Sequence, residues 1–110
     1  MPKFMVLYRS SVSANEQMAS STPKQAQAGM EAWMQWAGKA GDHIVDLGSP
    51  VAPVATVGKG DGAGQSIGGF SILQGDSRDE ITALLDGHPH FQSPGDPTIE
   101  VLEFLPMPGS

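Results

Sequence analysis

The sequence predicts one α+β domain in which a four-stranded antiparallel sheet carries two helices on one face. The apolar patterns follow the order strand, helix, strand and then repeat it, and a length of 110 residues suits a single hydrophobic core. In the first strand, apolar residues alternate onto both faces. Both faces of the sheet are therefore expected to be covered, one by the helices and the other by a second copy of the chain.

The first half of the chain has the pattern of a strand, a helix and a second strand. Residues 3–9 form a short apolar run of β-favouring residues, which predicts a strand. Residues 10–21 are small and polar, typical of a loop that has room for a helical turn. A helix is predicted over 23–40, because a Thr-Pro-Lys-Gln capping box precedes a broad apolar stripe. A short strand follows over 44–47.

The second half repeats this order after a loop rich in glycine. Residues 49–66 are predicted to be a flexible hairpin loop, and residues 67–74 return to strand composition. Two adjacent glycines in that strand indicate a bulge or the close approach of another backbone. A second capping box begins at Ser77 and predicts a short helix, and alternation over 98–105 predicts the last strand.

Composition excludes several classes of partner. A net charge of −6 has the wrong sign for a surface that tracks nucleic-acid phosphates. No apolar stretch reaches the length of a membrane span, and the first residues lack the pattern of a signal peptide. The chain has no cysteine, which fits a reducing compartment. We expect a cytoplasmic protein that has no nucleic-acid or membrane partner, and no sequence motif indicates a cofactor.

Two histidines after the second helix form the most conspicuous polar cluster. His88 and His90 have three interpretations: rings that cap the helix end and neighbouring backbone, a general acid or base for proton transfer, or metal ligands. A metal would need further ligands from His43, Asp46 or Asp86, and no spacing here matches an established ligand motif. No metal site is therefore predicted.

Three further polar residues are candidates for a site. Asp46 lies between apolar neighbours on a strand, so it either faces solvent or lies in a cleft as the partner of a histidine. Tyr8 and Arg9 end the first strand, where a phenol and a guanidinium could orient an anionic ligand. The alternative for Arg9 is an ion pair with Glu100 or Glu103 on the last strand.

Several motifs together give the sequence a resemblance to a known family. The motifs are Asp61-Gly62, Gly68-Gly69-Phe70, Ser77-x-Asp79-Glu80 and His88-Pro89, together with the first strand, KFMVLY. In their order and spacing they resemble the YCII-related family, in particular its branch marked by an Asp-Gly-Pro-Phe motif. The resemblance spans residues 3–104. It implies a ferredoxin-like fold, a dimeric α+β barrel in which two sheets pack face to face, and a cleft between sheet and helices in each protomer.

The first functional hypothesis is a small-molecule enzyme of the lyase or isomerase type. It places His88 or His90 as acid or base in a cleft bounded by the first strand, the long helix and the loop at His88. Asp46 would be the partner of the histidine, and Arg9 would hold the anionic group of a small organic acid. The resemblance implies that some relatives are lyase-type or dehalogenating enzymes with a proposed catalytic His and Asp pair. Their histidine lies on the first helix, where this sequence has Glu31 and no histidine.

The second hypothesis is a non-catalytic module that binds a small ligand or has a regulatory role as a homodimer. Trp33 and Trp36 lie on the long helix, where an unusually broad apolar face indicates either core packing or contact with a second surface. In this hypothesis both indoles line an apolar pocket together with Tyr8.

Overall fold

A computed structural model describes residues 1–60 and 64–108, and this part of the chain contains four strands and three α-helices. The strands are β1 (Lys3–Ser10), β2 (Ile44–Pro50), β3 (Ser66–Gln74) and β4 (Thr98–Glu103), and the helices are α1 (Ala14–Ser20), α2 (Pro23–Ala40) and α3 (Arg78–Leu84). Two 3₁₀ turns lie at Gly41–His43 and Pro89–Gln92. Among the described residues, none of the helices has the length and hydropathy that crossing a membrane requires.

The strands form one antiparallel sheet in the order β2-β3-β1-β4. The two strands that begin the halves, β1 and β3, therefore lie side by side in the centre, and the strands that end the halves lie at the edges. Interleaving two strand-helix-strand units in this way gives the ferredoxin-like topology. The predicted α+β class and the antiparallel four-stranded sheet are confirmed.

The hydrophobic core lies between the sheet and the helices. β1 contributes alternate side chains to it, as the period of two predicts. The buried members of the core are Phe4, Val6 and Tyr8 from β1, Trp36 and Ala40 from α2, Leu73 from β3, and Ile81 and Leu85 from the region of α3. One sheet face is thus covered by the chain's own helices.

The opposite sheet face is also apolar, and its side chains keep part of their surface accessible in the single chain. We call it the open face and define it by Met5, Leu7, Phe70, Ile72 and Leu102. Met5 pairs across the sheet with Ile72 and with Leu102, and Leu7 pairs with Phe70. Leu102 is exposed, and the other four side chains are half-buried.

A helix occupies part of the segment that the sequence predicts as a loop. α1 forms because the Ser13 side chain accepts the N–H of Glu16 at 3.2 Å, which caps the first turn. The serine and glutamate at this spacing are a helix-start signal, but the helix buries none of its residues. Without an apolar stripe, the hydrophobic pattern could not reveal it.

The second strand is longer than predicted. β2 continues to Pro50, because a positive φ of 86° at Gly48 turns the chain so that Ser49 and Pro50 pair with β3. The predicted loop over 49–66 is therefore shorter at both ends, since Ser66 begins β3. Residues 51–60 form neither helix nor strand, and residues 61–63, which include the Asp61-Gly62 motif, lie outside the described part of the chain.

Candidate functional site

A cavity of about 330 Å³ lies between the sheet and the helices. Its walls come from β1, β2, β3, α1, α2 and the 3₁₀ turn at Pro89–Gln92 with the residue that follows it. The lining residues are Tyr8, Ser10, Ala14, Gln17, Met18, Gly29, Met30, Trp33, Leu47, Gly48, Ser49, Pro50, Gly68, Gly69, Phe70, His90 and Ser93. The cavity lies where the first hypothesis expects its cleft, beside the first strand, the long helix and the His88 loop.

The double glycine of β3 shapes the cavity wall. The pairing of β1 with β3 shifts between Tyr8 and Arg9, so that Gly68 is an extra residue and forms a bulge. A methyl group on Gly69 would lie 3.3 Å from the carbonyl oxygen of Ser49, closer than nine in ten such contacts. Both alternatives predicted for the double glycine, a bulge and a close backbone, are therefore present.

His90 lines the cavity, and the fold determines its tautomer. Its Nε2 lies 2.9 Å from the carbonyl oxygen of Arg9 and 3.0 Å from that of Thr98. Because carbonyl oxygens only accept, Nε2 carries the proton and donates it to both. The other ring nitrogen, Nδ1, is then the basic one in the neutral ring, and it has no hydrogen-bond partner among residues 1–60 and 64–108. His90 thus presents one fixed donor and one unused acceptor.

His88 is buried beside the cavity rather than in its lining. Only 1% of the residue is exposed, and its Nδ1 accepts the backbone N–H of His90 at 3.0 Å. The proton of the neutral ring is therefore on Nε2, which is buried and has no hydrogen-bond partner in the described structure. Burial, and to a smaller extent electrostatic repulsion from His90, lowers the pKa of His88 to about 4. His88 is accordingly neutral at physiological pH.

Tyr8 also lines the cavity, and two consecutive hydrogen bonds hold its hydroxyl group in place. The Ser71 hydroxyl donates to the carbonyl oxygen of Leu47 at 2.6 Å, so its oxygen accepts from the Tyr8 hydroxyl at 2.8 Å. Burial raises the pKa of Tyr8 to about 12, although the Ser71 hydrogen bond acts in the opposite direction. Tyr8 is therefore a neutral phenol that is already hydrogen-bonded. Nothing in the sequence indicated Ser71, because its partner is 63 positions away.

The two tryptophans have different environments. Trp33 lines the cavity, and its ring lies edge-on to Tyr8 with a centroid distance of 4.9 Å. Trp36 is buried in the core, does not line the cavity, and donates its indole N–H to the carbonyl oxygen of Leu84 at 2.9 Å. The predicted pocket wall thus contains one indole, while the second contacts His88 from the core side.

Arg9 and Asp46 are not among the residues that line the cavity. The Arg9 guanidinium donates to Glu100 at 2.8 Å and to the carbonyl oxygen of Gln65 at 3.0 Å, which is the ion pair given above as the alternative for this residue. Asp46 is exposed, and its carboxylate accepts the N–H of Gly48 at 2.8 Å. The structure therefore brings Tyr8, Trp33 and His90 together at the cavity, with His88 behind them.

The cavity lining contains no aspartate, glutamate, lysine or arginine among the described residues. Likewise, no cluster of three or more histidines and carboxylates with the geometry of a metal site occurs in the described part of the chain. Apart from His90, the polar side chains of the lining carry hydroxyls, one amide and the indole N–H of Trp33. The arrangement suits a small, mostly apolar molecule beside one basic nitrogen.

Sequence reasoning missed several lining residues on the helices. Met18 and Gln17 lie on α1, which no hydrophobic pattern revealed, and Gln17 donates to the carbonyl oxygen of Val12 at 2.9 Å. Met30 lies one helical turn before Trp33, so it shares that face of α2. This spacing was the signal that could have identified Met30.

Comparison with known proteins gives matches among the solved structures. The chain is similar to the 5-chloro-2-hydroxyhydroquinone dehydrochlorinase from Burkholderia phenoliruptrix, solved in complex with 2,5-dihydroxybenzoquinone. The identity is 19%, the match covers 89% of this chain and 90% of that chain, and the TM-score is 0.46. No protein-family model and no curated protein matches the chain.

Proposed function

We propose that the protein binds an uncharged, ring-sized small molecule in this cavity and that His90 moves a proton of the bound molecule. The observation that supports this most directly is the hydrogen bonding of His90. Its Nε2 is held by two carbonyl oxygens, which leaves Nδ1 as an oriented base at an otherwise uncharged cavity. The corresponding activity is an isomerase or lyase reaction that begins by removing a proton from carbon.

The first step needs no group beyond His90 and the substrate. Nδ1 takes a proton from a carbon next to a carbonyl group, and the C–H electron pair forms the double bond of an enolate. The ring becomes an imidazolium, whose positive charge balances the enolate oxygen. Returning the same proton to a different carbon completes an isomerisation, and expelling a leaving group from the neighbouring carbon completes an elimination.

The size and charge of the cavity support this class of ligand. An apolar cavity of about 150 Å³ holds one benzene ring, so about 330 Å³ suits one or two fused rings. A carboxylate buried without a cation loses its hydration and gains no ion pair. Because Arg9 pairs with Glu100 outside the lining, the cavity favours an uncharged ligand over the organic acid expected from the sequence.

A pair of probes with the same ring system tests this charge preference. We expect 2-naphthol to bind at least ~10-fold more tightly than 2-naphthoate at pH 7, because only the naphthoate must bury a charge. NMR titration of the cavity methionine methyl groups measures both dissociation constants. Equal or tighter binding of 2-naphthoate would contradict the proposal of an uncharged ligand and would support a small organic acid as the ligand instead.

A ketone with the same rings tests the proton transfer. In D₂O, the protein should accelerate exchange of the C1 protons of 2-tetralone, and His90→Gln should reduce that acceleration by ~100-fold or more. Glutamine retains an N–H at the position of Nε2 for the two carbonyl oxygens and lacks the basic Nδ1. Proton NMR of the ketone measures the rate, and an unchanged rate in His90→Gln would exclude His90 as the base.

A second variant tests whether the histidine needs Asp46 as its partner, as the first hypothesis predicts. Asp46→Asn keeps the side-chain oxygen that accepts the Gly48 N–H and removes only the charge. A loss of exchange as large as that in His90→Gln would support the pair. Binding of 2-naphthol with no exchange above background would instead support the non-catalytic ligand-binding module, which the exposed position of Asp46 favours.

We further propose that a second copy of the chain covers the open face. The supporting observation is the apolar surface of that face, which a partner copy would remove from water. Light scattering at micromolar concentration should give twice the 11.5 kDa of the chain, and Leu7→Lys should give a monomer. Val54→Lys is the matched control, since Val54 is 97% exposed and lies outside the sheet. A wild-type monomer would refute the proposal.

The homodimer is also what the YCII-related resemblance implies, and we propose that the chain is a divergent relative of that family. The support is positional: Gly68 of the double glycine is the bulge residue at the cavity, and Ser77 caps the start of α3. The absence of cysteine suits the reducing cytoplasm as its compartment.

A further inference from the structure

We propose that His88 is a positioning residue, which orients the base His90 through Nδ1 and supports the cavity wall through the face and edge of its ring. The kinetic part of this inference rests on the proposed function, whereas the structural part does not. His88 is buried outside the lining, so it does not act on a bound molecule itself.

The first contact of His88 fixes the loop that carries His90. The 3₁₀ turn at Pro89–Gln92 begins at His88, whose Nδ1 accepts the N–H of His90 at 3.0 Å. This bond holds the backbone of His90, while Arg9 and Thr98 hold its Nε2 from the other side. The imidazole of His90 is thereby restrained at both its backbone and its ring, which sets the direction of Nδ1.

The second contact of His88 fills the space behind the cavity wall. Its ring stacks on Tyr8 at a centroid distance of 5.0 Å and meets Trp33 edge-on at 4.7 Å and Trp36 at 4.4 Å. Tyr8 and Trp33 both line the cavity. Removing the imidazole would let both rings move, and the shape of the cavity would change with them.

Histidine is the side chain that performs both tasks at this position. An asparagine or serine could accept the His90 N–H, as such residues do at helix starts, but neither fills an aromatic cluster. A phenylalanine could fill the cluster but has no acceptor. Using a histidine for both tasks leaves one polar group unsatisfied, because the buried Nε2 N–H has no acceptor among the described residues.

Two substitutions therefore separate the tasks. His88→Asn keeps the acceptor and removes the ring, so it should weaken 2-naphthol binding by ~10-fold and slow saturated exchange of 2-tetralone by a smaller factor. His88→Phe keeps the ring and removes the acceptor, so it should slow saturated exchange by ~10-fold and change the affinity less. Equal proportional losses of affinity and rate in both variants would indicate a merely structural residue and overturn the proposal.

Hydrogen exchange of one amide tests the structural part without any turnover. The His90 amide should be protected in the wild type, should stay protected in His88→Asn, and should exchange ~10-fold faster in His88→Phe. If the wild type shows no exchange of 2-tetralone, the proposed function fails while this readout and the naphthol affinities still decide the role of His88.

The wild type alone provides a test that needs no variant to fold. Nitrogen NMR of the His88 ring should show an unprotonated Nδ1 and a protonated Nε2 at neutral pH, as its acceptor role requires. An Nδ1-protonated ring, or an unprotected His90 amide in the wild type, would overturn the proposal.

Discussion

Replacing Gly48 with alanine is expected to destabilise the fold by more than about 3 kcal/mol, because two separate costs add at this position. Gly48 has a φ of 86°, a conformation that alanine adopts only with strain. A methyl group there would also overlap the carbonyl oxygen of Phe70 on the paired strand. The backbone of β2 or β3 would have to move, and both strands line the cavity. Urea denaturation measures the loss in the free energy of unfolding.

Gly38 provides the matched control for this substitution. It lies inside α2, and a methyl group on it would have no heavy atom within 4 Å. Gly38→Ala should therefore raise the free energy of unfolding by up to about 1 kcal/mol, since a helical glycine costs backbone entropy. A Gly48→Ala variant as stable as the wild type would show that Gly48 has neither a positive φ nor this close approach to Phe70.

Acidification from pH 6.5 to pH 4 is expected to cost the protein about 3 kcal/mol through His88 alone. The pKa of His88 is about 4 in the folded chain and 6.5 in the unfolded chain, so the unfolded state takes up the proton first. The stability that depends on a neutral His88 is therefore complete above pH 6.5, declines as the pH falls, and is gone by about pH 4. Its physical cause is that the buried, aromatic surroundings of His88 cannot solvate a charge.

Chemical denaturation across this pH range, compared with His88→Phe, isolates the effect. The other titratable groups make the free energy of unfolding depend on pH in both proteins, whereas the contribution of His88 is absent from the variant. The free energy of unfolding of the wild type should fall by up to about 1.4 kcal/mol per pH unit more steeply than that of the variant. Parallel pH profiles would mean that His88 ionises equally easily in both states.

Local signals in the sequence determined the elements of this fold. The Thr-Pro-Lys-Gln box at Thr22 starts α2, and both arms of the box are present as hydrogen bonds. Ser77 caps α3 in the predicted place by accepting the N–H of Glu80. The alternation in β1 identified which side chains enter the core. These features depend on residues a few positions apart, so periodicity and spacing are sufficient to predict them.

The candidate site depended instead on contacts that only the folded chain makes. His90 owes its tautomer to the carbonyl oxygen of Arg9, which is 81 positions away, and Tyr8 owes its hydrogen bond to Ser71. The sequence identified His88 and His90 as a pair, but it could not say which of them faces a cavity. Tertiary packing decided this, because burial, tautomer and hydrogen-bond partner are properties of the surroundings that distant segments create around a side chain.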